Sequence, residues 1–203
     1  MKWLLLVIIN ISVFAQSEPC NIINEINKDK WISISSKIES FEAPFYLTRK
    51  ELLSIVSPEY ISYSNLMNEL ELILVKSNLL INSNNIDLSF GPFQMKTSFI
   101  LNTLKSVPNN KIEDQVLKRI KNNRVLVASD IDYLNKIENQ WKILRFFEFN
   151  NYKIYEKFSL EGLYTMYNRG GALKNKTIFS KIKCKDLAYE DWCAEFLKLL
   201  LGI

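Results

Sequence analysis

Apolar residues along this chain of 203 residues recur mostly at steps of three and four positions, with little strict alternation. This spacing is typical of amphipathic helices, in which every third or fourth side chain lies on the same face. Glycine and proline, the residues that most often interrupt helices, occur only five times each. The pattern therefore predicts a mainly α protein.

A capping box marks the start of the first long helix. Glu51 follows Thr48 by three positions, so the hydroxyl and the carboxylate can each accept a backbone N–H of the other residue. The apolar run Leu52–Val56 comes directly after it. Residues 16–47, before this signal, are polar and irregular apart from one short helical stretch near residues 22–31. We expect them to form an N-terminal extension that wraps on the core.

Further helices are predicted along the rest of the chain. They are Ser64–Leu80, Lys96–Leu104, Lys111–Lys121, a long helix that follows Ser129 and Asp130, and a closing helix Leu187–Leu200. Two apolar stripes lie on them, Leu66, Leu70, Ile73 and Leu74 on the first and Leu134, Ile137, Trp141 and Leu144 on the long one. Aromatic residues at helical spacing belong to a core more often than to a ligand platform, so we expect the second stripe to be core.

The first residues are typical of an export signal. Lys2 supplies a positive charge, Trp3–Ile11 form an apolar run, and Ala15 is a small residue at a plausible cleavage point. A membrane anchor is the alternative, but the run is well short of the roughly 20 apolar residues that span a bilayer. We therefore expect an exported protein, periplasmic or extracellular, without stable membrane insertion.

The remaining chain is long enough for one domain with a core. Its charge is mild, since removal of Lys2 leaves 25 basic against 22 acidic residues, and this balance does not indicate nucleic-acid binding. Histidine is absent, which excludes a histidine general base and leaves acid–base chemistry to carboxylates. Cys20, Cys184 and Cys193 predict one disulfide and one free thiol in an oxidising compartment, and all three pairings remain open.

Two short motifs stand out from this helical pattern. The segment Asp87–Met95 reads Asp-Leu-Ser-Phe-Gly-Pro-Phe-Gln-Met, and Met166–Gly170 reads Met-Tyr-Asn-Arg-Gly. The first resembles the Gly-Leu-Met-Gln motif of soluble lytic transglycosylases and goose-type lysozymes, with Gly91 and Gln94 at matching positions. The second resembles the Ala-Tyr-Asn-x-Gly motif of the same superfamily. Their order and rough separation are also similar.

This resemblance implies a lysozyme-like helical domain over residues 48–203, after a signal peptide (1–15) and an extension (16–47). It implies binding of peptidoglycan glycan strands and cleavage by a single Glu general acid, with the sugar's own hydroxyl as the attacking group. No metal and no cofactor are implied. The positions that would contact sugar or hold the acid are Ser89, Gly91, Gln94, Tyr167 and Asn168.

Two registers are open for the acid. The usual interval before the glutamine falls on Lys76 and Ser77, which would make the site inactive. The other register uses Glu59, which follows the apolar run of the first helix, and it requires an extra helix before Gln94. Here the chain resembles a group of exported bacterial proteins of unassigned activity that pair a Pro-Glu segment with a Phe-Gln-Met turn. Glu69 and Glu71 are weaker candidates, and we expect their replacement to leave activity largely intact.

Three functions follow from these alternatives. The first is a peptidoglycan lytic enzyme with Glu59 as general acid. The second is a catalytically silent lysozyme-like module that binds glycan or positions other envelope proteins. The third is an exported helical scaffold in which both motifs are ordinary turns, because glycine and proline between polar residues usually form turns.

The signal sequence generates a direct prediction. The mature protein should start close to Gln16, since the apolar run ends there and Ala15 suits a signal peptidase. N-terminal sequencing of the exported protein should return this start, and Met1 at the N-terminus would contradict it.

Overall fold

The structure is a computed structural model, and it describes residues 29, 32–62, 65–80, 87–168 and 197. Several predicted features lie outside these residues. They are the signal segment 1–15, Cys20, Cys184, Cys193, Gly170 of the second motif and all but residue 197 of the predicted closing helix.

The described part of the chain is mainly helical, as the apolar spacing predicts. Residues 32–37 are helical and continue into a 3-10 turn at Ile38–Ser40. The elements that follow are α1 (Arg49–Ile55), α2 (Ser57–Ser62), α3 (Asn65–Leu80), β1 (Ser89–Phe90), β2 (Met95–Lys96), α4 (Thr97–Ser106), a 3-10 turn (Asn109–Lys111), α5 (Gln115–Asn123), α6 (Ala128–Leu134) and α7 (Ile137–Asn168). Within the described ranges, no helix is both long and apolar enough to cross a membrane.

The predicted capping box starts α1. The Thr48 hydroxyl accepts the Glu51 amide hydrogen at 3.2 Å, and the Glu51 carboxylate accepts that of Thr48 at 2.7 Å. The run Leu52–Val56 is buried completely. Pro58 stands in the first turn of α2, where its missing N–H leaves no hydrogen bond unmade. Glu59 follows Pro58 in α2, three positions after the end of the buried run.

The long helix predicted after Asp130 is two helices. Asn135 and Lys136 separate α6 from α7, and α7 is itself broken at Asn151 and Ser159. The prediction of one continuous helix was therefore wrong. Its apolar stripe is nevertheless core, as expected, because Leu134, Trp141 and Leu144 are buried and Ile137 is half-buried.

The apolar stripe on α3 lies at the surface. Leu70, Ile73 and Leu74 are 50%, 62% and 56% exposed, whereas Asn68 and Val75, on another face, are buried. The inward face of α3 packs against β1 and α6. This helix therefore presents polar as well as apolar side chains to the interior.

The described part of the N-terminal extension packs on the core. Ile34, Ile38 and Phe41 are buried. Its return toward α1 is anchored by Glu148 of α7, whose buried carboxylate accepts the backbone N–H groups of residues 45, 46 and 47 at 3.0, 2.6 and 2.6 Å. One side chain thus accepts three consecutive backbone N–H groups.

Replacement of Glu148 by Ala should destabilise the fold strongly. Three backbone N–H groups, one of them fully buried, would lose the buried carboxylate that accepts them, and we expect the free energy of unfolding to fall by about 3 kcal/mol. Denaturant unfolding measures this change. Glu161→Ala, at an exposed position of the same helix, is the matched control and should change stability little. Equal effects of the two substitutions would contradict this role of Glu148.

Candidate functional site

A tight turn connects the two strands of the only sheet among the described residues. Ser89 pairs with Lys96 and Phe90 with Met95, in antiparallel register. The backbone N–H of Gln94 donates to the Gly91 carbonyl at 2.9 Å, and this hydrogen bond closes the turn. Gly91 and Gln94 both have positive φ, 77° and 50°. The first motif is therefore a hairpin, an element that the helical spacing did not predict.

The backbone of this turn is held by buried amide side chains. The Gln140 amide group donates to the Phe90 carbonyl and accepts from the Phe93 N–H, both at 2.8 Å. Asn68, on α3, accepts the Gly91 N–H at 2.9 Å. Since buried backbone polar groups need partners, these two side chains allow the turn to lie inside the protein.

Gly91 cannot be replaced without disturbing this arrangement. A Cβ atom at this position would lie 2.1 Å from Nε2 of Gln140. Its positive φ also favours glycine, which has no Cβ to clash with the backbone. The sequence resemblance assigned Gly91 to the site, and the structure shows the physical reason for glycine there.

Tyr167 supports the turn from the end of α7. Its hydroxyl donates to the Phe93 carbonyl at 2.5 Å, and its ring packs edge-on against Phe99 and Phe147 at centroid distances of 5.2 and 5.9 Å. The side chain is only 7% exposed. Tyr167 thus joins the second motif to the first, and in this arrangement it holds the turn from within the core.

Gln94 links the turn to a carboxylate on α3. Its Nε2 donates to Oε2 of Glu71 at 2.9 Å and to the Gly91 carbonyl at 3.1 Å. Its Oε1 accepts the Ser89 hydroxyl at 3.0 Å. The side chains predicted at positions 89 and 94 therefore meet, and Gln94 also contacts Glu71, which the sequence pattern had ranked with Glu69 as a weaker candidate.

Glu59, near the hairpin, has a carboxyl group with a raised pKa. Its pKa is raised from 4.5 to about 7, mainly because burial disfavours the charged form and next because the negative charge of Glu71 repels a second one. The positive charge of Lys96, on β2, acts in the opposite direction. The neighbouring ring of Tyr60 packs against Phe93 of the turn at 6.2 Å. Glu59 thus belongs to the same cluster as Glu71 and the hairpin.

Lys76 does not occupy this cluster. Its ammonium group pairs with Asp132 of α6, which ties α3 to its neighbour. Lys76 follows Glu71 by five positions on α3. A step of five positions on an α-helix places the two side chains roughly 140° apart around the helix axis. The α3 side chain that contacts Gln94 is therefore Glu71, and Lys76 faces another helix.

The predicted site residues come together unequally. Glu59, Ser89, Gly91 and Gln94 form or border one cluster, and Tyr167 supports it from the buried side. Asn168 is the last residue of α7 and is half-buried, next to Tyr167 in the chain. Gln94 lies in the turn and Tyr167 bonds the turn's backbone from its buried side.

The sequence pattern did not indicate two polar residues that hold the turn, Asn68 and Gln140, and it ranked Glu71 only as a weaker candidate acid. A signal existed for Gln140, which lies three residues after Ile137 and so falls within the predicted core stripe. A polar side chain on a core-facing stripe needs a hydrogen-bond partner, because burial without one is costly. Gln140 could therefore have been expected to bond a buried group. Asn68 and Glu71 were harder to predict, because the apolar stripe of α3 indicated a different face of the helix as the buried one.

Two open grooves in the described part lie away from this cluster. One, of about 420 Å³, lies between α4 and α7 beside Asn102 and Phe149. The other, of about 240 Å³, lies where the extension meets Trp141. Neither is lined by Glu59 or Gln94, so neither groove belongs to the hairpin cluster.

Comparison of the chain with known protein families, with characterised proteins and with solved structures gives no match.

The raised pKa of Glu59 predicts a pH-dependent stability. The folded state holds this proton more tightly than the unfolded state, so the stabilisation is complete below pH 4.5 and is lost as pH rises through about 7. The loss should amount to roughly 3 kcal/mol. Denaturant unfolding of the wild type and of Glu59→Gln across this window measures it as the difference between the two proteins.

Glu69→Gln is the matched control, because Glu69 lies on α3 with an exposed side chain. It should show the same pH dependence as the wild type. If Glu59→Gln also follows the wild-type curve, Glu59 titrates normally and the acid has been misassigned.

Proposed function

We propose that this protein cleaves the glycan strands of peptidoglycan, with Glu59 as the single general acid. The supporting observation is the position of Glu59, a largely buried carboxyl group whose pKa is raised to about 7, in the cluster that Gln94 and the hairpin form. A general acid must hold its proton near the working pH until the leaving oxygen takes it. Few carboxyl groups meet that condition without such surroundings.

The chemistry needs one carboxylic acid and no metal. Glu59 donates its proton to the glycosidic oxygen as the bond from that oxygen to the anomeric carbon breaks. A hydroxyl of the same sugar then attacks the anomeric carbon, and its proton passes to the Glu59 carboxylate. The acid is thereby regenerated, and the product carries an anhydro end.

The hairpin has a separate task in this proposal. Its turn is rigid, because Gln140, Asn68 and Tyr167 each bond its backbone. Reacting groups are most effective when their supports do not move. Ser89 and Gln94 would present polar atoms to sugar from this fixed frame, and Asn168 would lie at its border.

The predicted export signal supports an activity outside the cytoplasm, in the periplasm or beyond the cell, where peptidoglycan is found. The mild positive charge of the mature chain does not repel an anionic cell wall. The second candidate remains a silent module of the same type, which binds glycan and leaves it intact. The two differ in the fate of the glycosidic bond alone.

Glu59→Gln should abolish cleavage and leave glycan binding unchanged, because the amide keeps the shape of the side chain and lacks the acidic proton. Release of dye from labelled, purified peptidoglycan measures cleavage, and co-sedimentation with the same material measures binding. Glu69→Gln, exposed on α3, should retain full activity. Binding without cleavage by the wild type would favour the silent module.

The cleavage rate should also depend on pH in a defined direction. The acid form of Glu59 predominates below about pH 7, so the rate should fall as pH rises through that value. A profile of initial rates from pH 5 to 9 measures this limb. A rate that instead rises across pH 7 would be inconsistent with a protonated Glu59 as the working form.

A further inference from the structure

We propose that the groove between α4 and α7 is a second carbohydrate site, which binds a neutral, N-acetylated sugar through side-chain amides and aromatic rings. Its volume of about 420 Å³ lies within the range of about 300–1,000 Å³ that is common for small-ligand pockets. None of its described lining residues belongs to the hairpin cluster. The site is therefore separate from Glu59 and does not depend on cleavage.

The first observation is the chemistry of the groove wall. The polar residues that line it are Asn102, Thr103 and Ser106 of α4 and Asn150 and Asn151 of α7. None of the described lining residues is charged, although the chain has 26 basic and 22 acidic residues. An anionic or cationic ligand would find no opposite charge on this wall. The groove therefore suits a neutral ligand with several hydrogen-bonding groups.

Two of these side-chain amides have a fixed orientation. Nδ2 of Asn150 donates to the Thr103 carbonyl, and Nδ2 of Asn151 donates to the Phe147 carbonyl, both at 2.8 Å. A carbonyl oxygen can only accept, so each amide must turn its nitrogen toward the protein. Within the described part of the chain, neither Oδ1 accepts a hydrogen bond. These oxygens can accept the N–H of an acetamido group or the O–H of a sugar.

Thr103 adds a hydroxyl group that is nearly enclosed. The residue lines the groove and is only 7% exposed, and its hydroxyl has no hydrogen-bond partner among the residues that the structure describes. Buried polar side chains are normally satisfied by hydrogen bonds. The groove is the side from which a ligand can supply one.

The first break in α7 lies at this groove. Asn151 has a φ of −113° and a ψ of 16°, which are not helical values, and its side chain bonds the Phe147 carbonyl. Consecutive residues of a regular helix do not face the same side. Asn150 and Asn151 nevertheless both line the groove. The break therefore lies where α7 offers two adjacent amides to one ligand.

A row of aromatic rings begins at the groove. Phe149 lines it, and the Phe149 ring stacks with that of Tyr46 at a centroid distance of 6.2 Å and an interplanar angle of 12°. Tyr46 is 48% exposed and stacks on Tyr152 at 3.8 Å. The face of an aromatic ring is electron-rich and attracts the C–H groups on the apolar face of a sugar ring. Rings beside amides can thus bind both the apolar face and the polar edge of a sugar.

The test is a titration of the mature protein, labelled for nitrogen NMR, with N,N′-diacetylchitobiose. The side-chain amide signals of Asn102, Asn150 and Asn151 report on the groove, and each is assigned by its loss in the corresponding Ala variant. We expect these signals to shift with one common binding curve. Cellobiose, which has hydroxyl groups in place of the acetamido groups, should bind more weakly.

Two substitutions remove parts of the groove that the ligand would contact. Asn102→Ala removes an exposed amide that makes no side-chain hydrogen bond in the described part of the chain. Phe149→Leu replaces the ring by an aliphatic side chain. Together they should raise the Kd for the disaccharide about tenfold, and Asn102→Ala alone should raise it measurably. The matched control is Asn122→Ala, exposed on α5 and outside the groove, which should leave the Kd unchanged.

An unchanged Kd in the folded groove variants would overturn the inference, and so would equal affinity for cellobiose. Binding of a capped trialanine peptide in preference to the disaccharide would also overturn it, because the groove would then recognise a peptide. Glu59→Gln should bind in the groove like the wild type. Groove binding by a protein that never cleaves glycan would sustain the inference and overturn the proposed function, whereas cleavage without groove binding would do the reverse.

Discussion

The buried side chain of Gln140 holds the loop on which the candidate site depends. Its amide bonds both sides of the turn, the Phe90 carbonyl and the Phe93 N–H, and it is completely buried. An unpaired polar group in apolar surroundings costs several kcal/mol. The buried amide of Gln140 therefore needs the backbone groups of the turn, and those groups need the amide. Gly91 completes the arrangement, because any side chain there would collide with Gln140.

Two carboxyl groups, the buried Glu148 and the partly buried Glu59, have different surroundings. Burial raises the pKa of both Glu148 and Glu59. At Glu148, three backbone N–H donors and the charge of Arg145 oppose the effect of burial, and the carboxyl group anchors the N-terminal extension. At Glu59, the nearby Glu71 adds to the effect of burial. The first environment suits a structural anchor and the second suits a proton donor.

Much of the helical frame could be predicted from the sequence, because it depends on local signals. The capping box at Thr48 and the core stripe through Trp141 depend on spacing alone, and both are present. The break between α6 and α7 could not be read in this way, since an apolar stripe can continue across two helices that pack on one core. The exposed apolar stripe of α3 could not be predicted either. Periodicity identifies an apolar helix face, but it does not show whether another element packs against that face.

The candidate site was predictable only in part. Gly91 and Gln94 carried a recognisable motif, and Glu59 followed a buried apolar run. Glu71 carried no motif, since its role depends on a contact with Gln94, 23 residues away in the chain. Such contacts arise from the packing of α3 on the hairpin, which no local pattern specifies.

The most direct measurement is mass spectrometry of the fragments released from purified peptidoglycan by the mature protein. The account predicts soluble glycan fragments with anhydro ends from the wild type and none from Glu59→Gln. Intact peptidoglycan after digestion with folded wild-type protein, at a pH where Glu59 is protonated, would contradict it.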